Sequence, residues 1–379
     1  MNNNSTENKI ETINIAIIGC GFVADYYMAT LNAYPELNIV GAYDKNDERL
    51  NVFSKHYSLN TYSSLDELLV DNKITIVLNL TDPRSHYTVS KQCLDAGKHV
   101  YSEKPLAMSF EDAEELTTIA KSKGLEIISA PCSVLGKAAK TLSHAVSQGL
   151  CGQTKLVYAE LDDGLVHKMA YKKWRSISGA PWPYRDEFEV GCTLEHAGYY
   201  LTWLMEMFGP VKSVTAFSDC VIPEKVEPEP PLSPPDTADI SFGILKFESG
   251  VVARLSTTIV APHDHSIRIF GDKGVISLKE CWDNNDKVYF RKLVRIRRKT
   301  FLSPYRKTIK LPETIQVNKL DRGNTKMDFL LGVRALANKV KHKQRSTLSI
   351  DFCLHVTEVS LALQNAGIES STYMTKSRF

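Results

Sequence analysis

The run Ile15-Ala16-Ile17-Ile18-Gly19-Cys20-Gly21-Phe22-Val23-Ala24 constrains this chain more than any other stretch. An apolar strand ending in Gly-x-Gly-x-x-Ala must turn tightly and enter a helix that packs close against the strand. The same turn lets the backbone approach a pyrophosphate and presents a helix N-terminus to its charge. Gly19, Gly21, Phe22, Val23 and Ala24 are therefore expected to cradle the phosphates of a dinucleotide, and a doubly wound parallel sheet is the fold that uses such a turn.

The pattern downstream agrees. Strand-like runs at 13–18, 38–43, 74–80, 98–102 and 125–130 alternate with helical patterns from about Phe22 and at 46–56, 64–70, 85–96 and 109–123, with a short strand near 61. After Ser133 the character changes. A helix at 134–148 precedes strands at 154–161, 211–221, 238–247, 251–260, 265–271, 274–278 and 287–297, and helices at 326–341 and 350–366 close the chain. The expected architecture is α/β plus α+β: an N-terminal Rossmann doubly wound parallel sheet, then an open-faced, mostly antiparallel sheet with helices on one face. The domain division is a tail at 1–12, a nucleotide-binding domain at 13–132 and a substrate and oligomerisation domain at 133–379. Pro223 to Pro235 holds six prolines and is expected to be an extended connection.

Charge narrows the partners. Lys plus Arg number 46 against 44 Asp plus Glu, so nothing marks a nucleic-acid surface. The eight cysteines show no zinc-like spacing and fit a reducing compartment. The polar start Met1 to Asn8 lacks an apolar leader, and no run approaches the roughly 18 apolar residues of a membrane span, so a cytoplasmic protein is expected.

Ligands of a doubly wound sheet sit beyond the carboxyl ends of its strands. Gly19 to Ala24, Asp44, Thr81-Asp82-Pro83 and Glu103-Lys104-Pro105 all fall there. Asp44 is placed to accept the adenosine ribose hydroxyls and to repel a 2′-phosphate, which favours NAD. Lys45, the next residue, leaves NADP open.

Hydride transfer from an alcohol carbon needs a second group to take the hydroxyl proton. Lys104 is the candidate, with its pKa expected to be lowered by desolvation and by the oxidised nicotinamide ring. The plainer alternative is a surface lysine paired to Glu103. A helix running to about Phe208 would put His196 and Tyr200 on one face, four residues apart, as a possible proton relay. Glu195 with Tyr199, and His196 with Tyr200, serve equally well as packing pairs.

With these pieces in order, nearly the whole chain resembles the glucose–fructose oxidoreductase, inositol dehydrogenase and rhizopine-catabolism family (Gfo/Idh/MocA). The matching stretches are Gly19 to Ala24, Asp44, Asn79 to His86, Ala96 to Val100 running into Glu103-Lys104-Pro105-Leu106-Ala107, Trp174-Arg175, the helix entry at Gly191, and Gly271 to Gly274. The resemblance implies reversible NAD(P)-linked oxidation of a secondary hydroxyl on a sugar, polyol or nucleotide sugar, with Lys104 catalytic and Thr81, Asp82, Pro83, His86 and Glu103 at the cofactor. It also implies a homodimer or homotetramer built on the open sheet. The family helix usually carries Asp-x-x-x-His where His196 and Tyr200 stand, and Pro131-Cys132-Ser133 replaces the usual polar and basic residues. Relatives imply two alternatives, an NAD-using glycosidase and a non-catalytic nucleotide-binding regulator.

Three further features bear on substrate. The stretch from Trp174 to Glu187 includes Arg175, Trp182, Tyr184 and Arg185, a composition suited to pyranose faces and hydroxyls or, equally, to a cover loop pinned by prolines. Residues 291–310 hold nine Lys or Arg and no acid, read chiefly as a solvated edge strand and turn, with the phosphates of a nucleotide sugar or a polyanionic glycan as the alternative partner. His263 and His265 share a strand face, but no third ligand stands nearby in sequence, so no metal is expected.

Overall fold

The computed structural model describes residues 11–226, 229–315, 317 and 326–379. Most of the expected N-terminal tail, residues 1–10, lies outside them. The first sheet is fully parallel. It contains β1 (Ile13–Ile18), β2 (Leu37–Tyr43), β3 (Ile76–Asn79), β4 (His99–Ser102) and β5 (Ile127–Ser129) in the order β2-β1-β3-β4-β5. Its helices are α1 (Ala24–Met28), α2 (Asp47–Tyr57), α3 (Leu65–Val70), α4 (His86–Asp95) and α5 (Phe110–Ser122). Asn46, Ser64 and Ser109 cap α2, α3 and α5 by accepting from the N–H three residues on, each worth about 1 kcal/mol. The helix expected from Phe22 begins at Ala24 and runs for five residues.

Beyond α6 (Lys137–Ser147) the chain enters a ten-stranded sheet. Its strands are β6 (Thr154–Asp162), β7 (Val211–Asp219), β8 (Ile240–Phe247), β9 (Val252–Thr258), β10 (Ile267–Gly271), β11 (Gly274–Leu278), β12 (Tyr289–Ile296), β13 (Lys299–Leu302), β14 (Lys307–Thr308) and β15 (Ser371–Met374). All pairs are antiparallel except β6 with β9. Alternation of buried and exposed residues along β7 and β8 marks a sheet buried on one face, and Phe242 and Ile244 stand about half exposed on the other. The basic stretch forms the exposed β12–β13 hairpin at the sheet edge, as the solvated reading expects. The short strands β13, β14 and β15 have too few residues to show a period and were not expected.

The buried face is covered by α6, α8 (Cys192–Phe208) and α10 (Ile350–Gln364). Before α8 lies α7 (Tyr184–Val190), where an irregular loop was expected; the two helices are separated at Gly191, with φ +96°. A β-carbon there would meet the Gln364 side chain and Thr237, so both space and backbone demand glycine. The last helices return to the first sheet. α9 (Leu330–His342) packs on β4 and β5, where Gly332 lies directly on the Tyr101 ring, and α10 packs on α5. The cores of the two sheets are thereby continuous through Tyr101, Val333, Phe352 and Tyr200.

Candidate active site

At the carboxyl end of β1, Gly19 has φ +95°, and a β-carbon on it would lie 2.5 Å from the Leu80 carbonyl oxygen. That glycine lets the ends of β1 and β3 close together. A β-carbon on Gly21, by contrast, would project into open space, which suits the approach of a phosphate. Ala24 is fully buried against the sheet, Val23 packs on the core, and Phe22 rests edge-on against Tyr26 at 5.7 Å.

Asp44 is buried at the end of β2. Its carboxylate accepts from the Cys20 N–H at 2.8 Å and the Asn46 N–H at 2.8 Å, and Arg49 Nε and Nη2 grip it at 2.8 and 2.9 Å. A neutralised Asp44 repels a 2′-phosphate far less than a bare carboxylate would. Sequence reasoning overlooked Arg49, one helical turn into α2. Lys45 reaches Asp82 at 3.6 Å across the crevice, and Asp82 also accepts from Ser85 at 2.8 Å. Thr81 donates to Asn79 Oδ1 at 2.7 Å, and Pro83 opens the turn into α4.

His86 stands differently from its expected place at the cofactor. Its ring is completely buried and bridges the Pro105 carbonyl at 2.7 Å and the Thr81 carbonyl at 3.0 Å. It fastens the two crevice loops to one another. Glu103 is likewise a brace, accepting from the Tyr27 hydroxyl at 2.7 Å and the Lys104 N–H at 3.0 Å.

Lys104 does not pair with Glu103 through its side chain. Its Nζ forms an ion pair with Glu195, from the first turn of α8. Burial pushes the lysine pKa down, but the facing Glu195 and Glu187 carboxyl groups outweigh it and hold Lys104 above its ordinary value. The expected lowering is therefore reversed, because the fold supplies counter-charges that the sequence does not place beside it. Glu187, on α7, is pushed well above the usual carboxyl range by burial and by Glu195. The cluster gathers Lys104, its ion-pair partner Glu195 and the buried Glu187 carboxyl.

The tyrosine expected to share a proton relay with His196 faces elsewhere. Tyr200 is fully buried, with its hydroxyl donating to the His265 carbonyl and its ring edge-on to Trp203. Tyr199 is the phenol that senses the Lys104 charge, and burial raises its pKa. The i, i+4 pair on the reacting side is thus Glu195 with Tyr199. His196 stays near Lys104 on the cleft wall, with Nε2 3.7 Å from Asp163; burial and the lysine charge keep its imidazole neutral.

A cleft lined by Asp163, Trp182, Glu187, Glu195, His196 and Ile259 opens beside this cluster. Of the five substrate candidates only Trp182 lines it. Trp174 packs at a tilt on Trp182, with ring centroids 4.9 Å apart, within an aromatic cluster that includes Tyr171 and Phe188. Tyr184 donates to Glu229 at 2.6 Å, Arg185 to the Pro230 and Pro231 carbonyls at 3.1 and 2.9 Å, and Arg175 to carbonyls of its own turn. Tyr184 and Arg185 thus hold the segment to the proline-rich connection, while Arg175 and Trp174 brace the segment itself. The cover extends over the first sheet, with Ser178 donating to Asp25 at 2.8 Å and Arg84 meeting Glu189 at 2.8 Å.

The absence of a third ligand near His263 and His265 also changes in three dimensions. Asp162 pairs with Asp264, and His265 with Glu280, which brings Asp163 and Glu280 to the two imidazoles.

A dinucleotide turn, a crevice at the carboxyl ends of a parallel sheet and a charged lysine beside a roofed cleft define a nicotinamide-nucleotide oxidoreductase. The NAD-binding Rossmann model of the GFO_IDH_MocA oxidoreductases matches residues 13–130, and the GFO/IDH/MocA C-terminal domain model matches residues 139–277. The chain belongs to this family of NAD(P)-dependent oxidoreductases. It is 28% identical to an uncharacterised oxidoreductase, sll0816, from Synechocystis over 71% of this chain and 72% of that protein. It is 24% identical to trans-1,2-dihydrobenzene-1,2-diol dehydrogenase from Bos taurus over 72% of this chain and 76% of that protein. Among solved structures, the 3-ketoreductase KijD10 of Actinomadura kijaniata with NADP and TDP-benzene superposes with a TM-score of 0.70 at 15% identity, covering 94% of this chain and 98% of that one. Among the described residues no helix is long and apolar enough to cross a membrane.

Proposed function

We propose that the protein moves a hydride between NAD(P) and a secondary hydroxyl or keto carbon of a sugar, polyol or nucleotide sugar, with Lys104 as the proton-transferring residue. The observation that carries this reading is the Lys104–Glu195 ion pair, held beside the cleft at the end of β4. The open space at Gly21 and the Lys45 and Arg49 cations suit the pyrophosphate and adenosine end of the cofactor. Bound there, the cofactor supplies or accepts the hydride.

Glu195 and Glu187 keep Lys104 charged, so Nζ enters the reaction as an acid. It donates a proton to the carbonyl oxygen in the reducing direction, while Glu195 orients the ammonium and stabilises its charge. In the oxidising direction the same lysine, once discharged, takes the hydroxyl proton. His196 is neutral and offers a hydrogen bond to a second substrate hydroxyl. Trp182 supplies an apolar wall for ring carbons. The half-exposed Phe242 and Ile244 favour homo-oligomer formation through the open sheet face, which light scattering on the purified protein would read as a mass above the 42.5 kDa of one chain.

The test is absorbance of the reduced nicotinamide with purified protein, each of NAD(H) and NADP(H), and a panel of keto sugars, sugars, polyols and nucleotide sugars. Turnover that is lost in Lys104→Ala is expected. A substrate turned over equally well by that variant would remove the lysine from the reaction.

A further inference from the structure

We propose that Asp163, His263 and His265 form a binding site for one divalent cation of the zinc class, with Glu280 holding the His265 ring. About a hundred residues separate Asp163 from the histidines, and antiparallel pairing of β6 with β10 brings them together. One ligand atom from each of the three lies within 4.8 Å of the others.

His265 supplies the independent observation. Its ring is completely buried, and Nδ1 meets Glu280 Oε1 at 2.9 Å. With Nδ1 engaged by the carboxylate, Nε2 is the ring nitrogen turned toward Asp163 and free to ligate. That Nε2 has no hydrogen-bond partner and stands 3.7 Å from Asp163 Oδ1. The separation is too long for a hydrogen bond. It is near the spacing of about 3.4 Å expected between two atoms bound to one tetrahedral zinc ion.

Glu280 completes the arrangement from behind. Its second oxygen meets His263 Nε2 at 2.9 Å, and the Trp282 N–H donates to Oε1 at 2.9 Å. A carboxylate that fixes the tautomer and ring plane of a ligating histidine is the usual outer support of a metal centre. Two imidazoles and one carboxylate make a borderline donor set, which selects Zn²⁺, Co²⁺ or Ni²⁺ over Mg²⁺ and Ca²⁺. Three protein ligands leave a coordination position open. Asp163 and His196 both line the cleft, so an ion held here sits in its wall, where a substrate oxygen or water can take the fourth place.

Binding is read without turnover. Untagged full-length protein is stripped with a chelator, dialysed, and titrated with Co²⁺ by its visible ligand-field absorption and with Zn²⁺ by elemental analysis of the washed protein. One equivalent per chain is expected, with tetrahedral-type absorption on cobalt. His263→Ala is the leading variant, because that ring is half exposed and its loss should leave the fold intact. It and Asp163→Asn are each expected to weaken binding at least about tenfold, and Glu280→Gln by about 10- to 100-fold. A wild-type titration with no saturable site, or equal affinity in folded His263→Ala, overturns the assignment.

Discussion

The two sides of the crevice are built by different means. On the side of β1 and β2 most contacts use backbone groups: Gly19 against the Leu80 carbonyl, and the Cys20 and Asn46 N–H groups on Asp44, with the nearby Arg49 on the same carboxylate. On the reacting side the contacts are long in sequence and made by side chains: Lys104 with Glu195, and Asp163 facing both His196 and His265. A backbone site is fixed as soon as its strand and turn form. A side-chain site exists only after two sheets and two helices have docked, and its charges then reset one another.

The contrast is tested most severely at Lys104. Lys104→Ala should lower the rate constant for hydride transfer by about 10³-fold while changing NAD(P) affinity only a few-fold, because the lysine belongs to the reacting side. Stopped-flow nicotinamide absorbance and cofactor titration by fluorescence separate the two quantities. A large loss of cofactor affinity would join the two halves into one site.

Glu195→Gln comes next. Removing the nearest counter-charge lets burial act on Lys104 with less opposition, so its pKa should fall. The acid form that donates the proton is present below that pKa and lost above it. The alkaline limb of the reduction profile should therefore move to lower pH, with a rate loss of about 10²-fold where the variant lysine has discharged. An unmoved limb would show that Glu195 does not set the lysine.

Gly19→Ala probes the backbone side. The left-handed φ and the Leu80 carbonyl in the way should cost about 2 kcal/mol of folding stability, seen by thermal or urea denaturation. Cofactor affinity should fall with it, while chemistry on bound substrate changes little.

The smallest effect is expected at Tyr200. Tyr200→Phe removes one buried hydrogen bond to the His265 carbonyl, worth about 1 kcal/mol of stability, and should leave the rate constant within about threefold of wild type. Tyr199→Phe, beside Lys104, should affect the rate more. The reverse ranking would return the proton relay to His196 and Tyr200.

Much of the first sheet was legible in the residues, because its strands are short apolar runs alternating with amphipathic helices, three of which Asn46, Ser64 and Ser109 cap. The end of β4 was legible as the place for chemistry through its position at a strand end and the family resemblance, since an isolated Glu-Lys-Pro reads equally as a surface ion pair. Beyond that, local pattern gave out. Tyr199 and Tyr200 are adjacent on one helix and differ by about 100° of rotation, so a small difference in how α8 docks decides which phenol meets Lys104. Trp174, Tyr184 and Arg185 have the composition of a sugar site, yet a mini-core of Tyr171, Trp182 and Phe188 absorbs the aromatics and the proline-rich carbonyls absorb the arginine.

The sequence by itself determined the class of fold, the dinucleotide turn and the lysine at the strand end, because strand period, glycine spacing and turn chemistry act between near neighbours. Only the tertiary structure decided the electrostatic setting of Lys104, the engagement of His86 and Tyr200, and the gathering of Asp163, His263, His265 and Glu280. Each of these depends on electrostatics or hydrogen bonding between segments brought together by docking. Coulomb interactions and desolvation act through space, and separation along the chain does not encode them.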